Sequence, residues 1–109
     1  MRVEDRLDIL DLISRYAMTY DHNEINEHVS LFTEDGTLVL THEATGHEAI
    51  RKMTGERRAK VAEKGIQNRH FLVNTGLDEI SIDEVKAVSN LVKFWRSNRK
   101  PSHPASHDF

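Results

Sequence analysis

The chain has 109 residues, 38% hydrophobic and 30% charged, with a formal net charge of −3 and no cysteine. Without thiols, disulfides, thiolate metal sites and a cysteine nucleophile are excluded, and the acidic balance argues against a nucleic-acid partner, which calls for a basic surplus. No apolar run reaches the roughly 18 residues of a membrane-spanning helix.

The opening MRVEDRLDIL is charged rather than signal-like, so the expected setting is cytoplasmic, with no membrane partner. Within it a helix begins. Over residues 4–20, Leu7, Leu10, Ile13, Ala17 and Tyr20 recur every three or four positions, with Arg6, Asp8, Asp11 and Arg15 between them. Ile9, Leu12 and Tyr16 widen the apolar face, so this helix should pack against a broad surface. A second, short helix fits residues 24–32. Glu34-Asp35-Gly36 signals a turn, and Thr37 to Leu40 a short strand.

Thr45-Gly46-His47-Glu48 has capping-box spacing. It should open a helix running to about Lys64, with a thin apolar stripe of Ile50, Met53 and Val61 and with Gly65 in the stop position. Residues 68–82 and 84–97 then predict two long strands joined as an antiparallel hairpin. Arg57-Arg58 and the stretch Lys93 to Lys100 are locally basic and are expected to be solvated surface. Residues 1–98 should form one domain. Residues 99–109, RKPSHPASHDF, hold both prolines and little that can pack, as expected of a flexible tail. The order of helices and strands predicts an α+β fold with helices on one face of a curved antiparallel sheet.

Chemistry concentrates in RHFLVN, Arg69 to Asn74. Strand side chains alternate between faces, so His70, Leu72 and Asn74 share one face and Arg69, Phe71 and Val73 the other. A face mixing imidazole, amide and leucine suits a pocket wall, which is mostly apolar with a few placed polar groups. It also suits a structural histidine and an asparagine at a strand end or bulge. Asp21 begins an Asp-x-x-Glu box with Glu24 that would cap the second helix. Tyr16 and Tyr20 have core-like helical spacing. Trp95 would floor a pocket or cover an interface. His42 and His47 lack the pattern of a ligand pair, and His103 and His107 flank Pro104, so no metal site is expected.

Several stretches in order resemble the SnoaL-like branch of the NTF2-like superfamily. They are the first helix ending in Tyr20-Asp21, SLFTEDG (Ser30 to Gly36), TGHEAIR (Thr45 to Arg51), RHFLVN, and DEVKAVSN (Asp83 to Asn90). The resemblance covers residues 3 to about 97. It implies a cone-shaped roll of curved antiparallel sheet with three helices around a pocket, here without the last strands. In the scytalone dehydratase and dehydrochlorinase members, an aspartate ending the first helix pairs with a histidine on the strand after the third helix. Asp21 and His70 fall on those positions, and Tyr20 on the dehydratase tyrosine before the aspartate.

The resemblance thus implies a cofactor-free enzyme in which His70, oriented by Asp21, transfers protons on a hydrophobic small molecule. Tyr16, Tyr20, Asn74 and Trp95 are candidate substrate contacts. The dehydratase tyrosine on the first strand has no counterpart in Val39-Leu40-Thr41, and Trp95 stands where that enzyme has a second histidine. A non-catalytic binding or dimerisation module of the same fold is therefore the alternative. The short end should leave an uncovered apolar face, for which a homo-oligomer is expected.

Overall fold

Helix α1 covers Val3–Asp21, one residue longer at each end than its periodicity predicts, in a computed structural model that describes residues 1–97. Glu4 and Asp5 occupy its first turn, where the helix dipole favours negative charge. Only its second half is covered. Ile13, Tyr16, Ala17 and Tyr20 turn toward protein, whereas Leu7 stays 61% exposed and Leu10 and Leu12 are also exposed. The elements lying against α1 are α2 (Ile25–Ser30) and the long strand β3 (Ile66–Ser81), and the broad packing expected of the helix forms where they reach.

The short strands β1 (Thr37–Val39) and β2 (Glu43–Thr45) pair antiparallel, each sending one residue inward, Leu38 and Ala44. These join Val29 and Ile50 as the buried apolar centre, with Tyr16, Ile25, Phe32 and Met53 packed around it. The second of these strands was not expected from the sequence, and it overturns the capping box. Thr45 is the last residue of β2, with its Oγ1 2.9 Å from Thr37 Oγ1. The N-cap of α3 (His47–Glu63) is Gly46 at φ 90°, which has no side chain to cap with. The stop is as predicted: Lys64 caps the helix and Gly65 follows at φ 67°, a left-handed position where glycine carries no Cβ penalty.

Strands β3 (Ile66–Ser81) and β4 (Glu84–Ser97) form the predicted antiparallel hairpin through Ile82-Asp83. Among the described residues, three helices with antiparallel strands give the expected α+β class, laid out as two separate two-stranded sheets, β1-β2 and β3-β4. Residues opposite one another in the ladder share a face. Asn68, His70 and Leu72 therefore stand beside Trp95, Lys93 and Leu91.

That alternation ends at Asn74. The register passes from Val73 opposite Asn90 to Gly76 opposite Val88, so two residues of β3 face one of β4, a bulge, and Asn74 sits at φ 54°. Beyond it the parity of β3 is reversed. Thr75 now meets Ser89 across the ladder at 2.7 Å, and Leu77 lies opposite Ala87. The expected tail, residues 99–109, lies outside the described residues.

Candidate functional site

Asp21 is the last residue of α1, where a carboxylate opposes the helix dipole. Its side chain is 3% exposed. Oδ2 accepts the backbone N–H of His70 at 2.6 Å, and Oδ1 lies 2.5 Å from His70 Nδ1. Among the described residues strand β3 is paired on one edge, with β4, and on its other edge the His70 amide donates to Asp21. One carboxylate thus blocks the strand edge and grips the imidazole on the same residue. It does not cap α2, whose N-cap is Glu24, without a side-chain bond.

A carboxylate can only accept, so Nδ1 carries the proton and a neutral His70 presents the lone pair of Nε2. The ring of Tyr20 meets that of His70 edge-on, with centroids 5.8 Å apart. His70 and Leu72 line a cavity of about 220 Å³ together with Tyr16, Tyr20, His28, Leu38, Leu40 and Leu91. The hollow expected on the His70–Leu72 face is present.

Of the six residues singled out from sequence, the structure brings four together: Asp21, His70, Tyr20 and Tyr16. Burial pushes the Tyr16 phenol above its ordinary pKa, so it stays a protonated donor at neutral pH. Asn74 does not line the cavity, because the bulge removes it from the alternation that would have placed it beside Leu72. Trp95 shares the His70 face of the ladder but stands opposite Asn68, two pairs beyond the His70–Lys93 pair, and does not line the cavity either.

Two residues were missed. His28 is fully buried on α2, ringed by Tyr16, Tyr20 and Phe32. Thr19 Oγ1 donates to the Arg15 carbonyl at 2.7 Å, so its contact of 3.0 Å with His28 Nδ1 must be donated by the imidazole. Nε2 is then a bare acceptor, and it has no partner among the described residues. Burial lowers the His28 pKa, which keeps the ring neutral. The signal was in the sequence. Ile25, His28, Val29 and Phe32 follow i, i+3, i+4, i+7 spacing, with an imidazole inside an apolar stripe.

Arg57 is the second. It lies four residues after Met53 and four before Val61, within the stripe of α3; it is exposed, as expected, and also lines the cavity. The guanidinium of Arg58, also expected in solvent, sits over the Tyr20 ring at 5.7 Å from its centroid. Among the described residues, no cluster of three or more histidine, aspartate or glutamate side chains could hold a metal ion, and no helix is long and apolar enough to cross a membrane.

The family model for the SnoaL-like domain matches residues 1–106. The chain belongs to the SnoaL-like domain family. Solved structures carry the same fold. ActVI-ORFA from Streptomyces coelicolor superposes with a TM-score of 0.80 at 19% identity, covering 93% of this chain and 74% of that one. A protein from Catenulispora acidiphila, solved in complex with S-DNPA, gives 0.75 at 21% identity over 89% of this chain and 71% of its own. An NTF2-like protein with a cystatin-like fold from Novosphingobium aromaticivorans gives 0.71 at 26% identity, covering 89% and 67%. No curated protein matches this SnoaL-like chain. Membership and fold together make it a small NTF2-like enzyme or binding module.

Proposed function

We propose that this SnoaL-like domain is a small enzyme that uses His70 and Asp21 to move protons on a hydrophobic molecule, with no cofactor. The observation that carries it is the double grip of Asp21 on His70 beside an apolar cavity. Nε2 takes a proton from a carbon next to a carbonyl. The electron pair left behind forms a new double bond, either expelling a hydroxyl or halide on the next carbon or shifting to an enol. Asp21 balances the imidazolium that forms, and Nε2 then returns its proton to the leaving hydroxyl or to another carbon. Water loss and isomerisation use this sequence; when halide leaves, the Nε2 proton passes to solvent, and in cyclisation the enolate carbon instead bonds to a second carbonyl carbon, whose oxygen takes the proton from Nε2. Tyr16 and Tyr20 line the same cavity and offer phenol donors to the substrate oxygen. The related Catenulispora protein holding S-DNPA supports a small molecule as the occupant.

A second assignment, a binding module without turnover, is favoured by the β1 wall. Leu38 on β1 and Leu40 just after it line the cavity, and neither can polarise a carbonyl.

Thermal-shift screening of hydroxylated and halogenated cyclic ketones, followed by turnover assays on the hits, separates the two. For the enzyme, His70→Asn should keep ligand binding and lower kcat about 10²–10⁴-fold. Binding with no turnover by the unaltered chain would leave the module.

A further inference from the structure

The cavity does not close behind His70. Tyr20, Arg57 and His70 also line an adjoining depression of about 310 Å³, whose other walls include Lys60, Asn68 and Lys93. The two spaces share those three residues and so adjoin: an apolar chamber and, beside the imidazole, a vestibule bordered by three cations. We infer that the substrate is an amphipathic anion, a ring body carrying a carboxylate, with the rings in the chamber and the carboxylate on Arg57, Lys60 and Lys93. This deepens the small-molecule assignment above and rests on it.

Several independent observations point the same way. The chain as a whole carries an acidic excess, yet no aspartate or glutamate lines either space. The carboxylate bonded to His70, Asp21, is already committed to it. Among the described residues, none of the three cations makes an ion pair, whereas Arg2 and Arg15 do. Their placement follows from the fold. Arg57 and Lys60 are three apart on α3 and so project to neighbouring points of one helix face, while Lys93 stands directly across the ladder from His70. The positive charge of Arg57 opposes the rise in the Tyr16 phenol pKa, which places its field at the chamber as well as at the vestibule. Arginine binds a carboxylate with a planar fork, and lysine as a point charge.

Size is consistent. An engineered apolar cavity of about 150 Å³ accepts a benzene ring, so a chamber of about 220 Å³ takes a somewhat larger ring system.

The test is isothermal titration of the unaltered chain with 1-naphthaleneacetic acid and with 1-naphthaleneacetamide, its neutral isostere, in low-salt and in about 1 M NaCl buffer, where the Debye length falls to about 3 Å. The acid should bind at least about tenfold more tightly in low salt, and that ratio should collapse in high salt and in Lys60→Glu/Lys93→Glu. Equal affinities in low salt, or a preference indifferent to both salt and charge reversal, would overturn the anionic substrate and leave the proton-transfer assignment standing. Failure of both compounds to bind would sink the inference together with the small-molecule assignment beneath it.

Discussion

Asp21 holds His70 twice, once through the backbone amide at 2.6 Å and once through the ring at 2.5 Å. The two contacts join residues 49 positions apart, so the last turn of α1 and the strand β3 are registered against each other by a single side chain. Asn in place of Asp keeps the shape but offers only one accepting oxygen. Asp21→Asn should therefore leave one buried donor of His70 unmatched and cost about 1–3 kcal/mol in urea unfolding. Its ¹⁵N spectrum should also show loss of the single Nδ1–H tautomer of His70.

His28 predicts an acid-sensitive component of stability. Burial lowers its pKa in the folded chain, while the unfolded imidazole titrates near about 6.5. As pH falls below that value the unfolded state takes up the proton first, so stability declines until the folded ring also titrates. The contribution is complete above about pH 6.5. His28→Asn keeps a donor toward Thr19 but cannot titrate, so the difference in unfolding free energy between parent and variant should change over that acidic window and be flat above it.

Ile50 is fully buried at the centre of a small core. Ile50→Ala should cost about 2–5 kcal/mol. That is a large share of the roughly 5–15 kcal/mol typical of a folded domain, so calorimetry should show a strongly lowered Tm or no cooperative transition.

On the ladder face away from His70, Phe71, Val73 and Val92 are all exposed, with Phe94 packed edge-on against Phe71 at 5.4 Å. Contiguous exposed apolar surface of this kind favours association. Light scattering at micromolar concentration should report a dimer or larger species, and Val92→Glu should shift it toward monomer. A monomeric parent chain would refute the homo-oligomer.

The helices and the hairpin were legible because their signals are long. Nineteen residues of α1 and the paired runs of β3 and β4 repeat their pattern often enough to override single exceptions. β2 was not, since three residues carry no measurable alternation and its Thr45 also fits a helix cap. At the site, Asp21 and His70 were found through motif resemblance, and spacing alone left Asp21 equally suited to capping. His28 and Arg57 were overlooked for a common reason. Each is a polar residue at an apolar-stripe position, and charge drew attention away from phase. Asn74 was misplaced because a bulge leaves no mark in a two-residue repeat until the repeat is checked on both sides.

The bulge at Asn74 has one more effect, on how the protein can vary. It acts as a phase shifter between two lengths of the same ribbon: the inner length displays His70 and Leu72, and the outer length turns Thr75 and Leu77 to that side. A chain missing that single residue would run a regular ladder with Thr75 still opposite Ser89 and Leu77 still opposite Ala87, whereas a chain keeping the residue but straightening the strand would turn Leu77 to the reverse side. The bulge therefore lets the ribbon gain or lose one residue of length while the surface at the far end keeps its side relative to the chemistry at the near end.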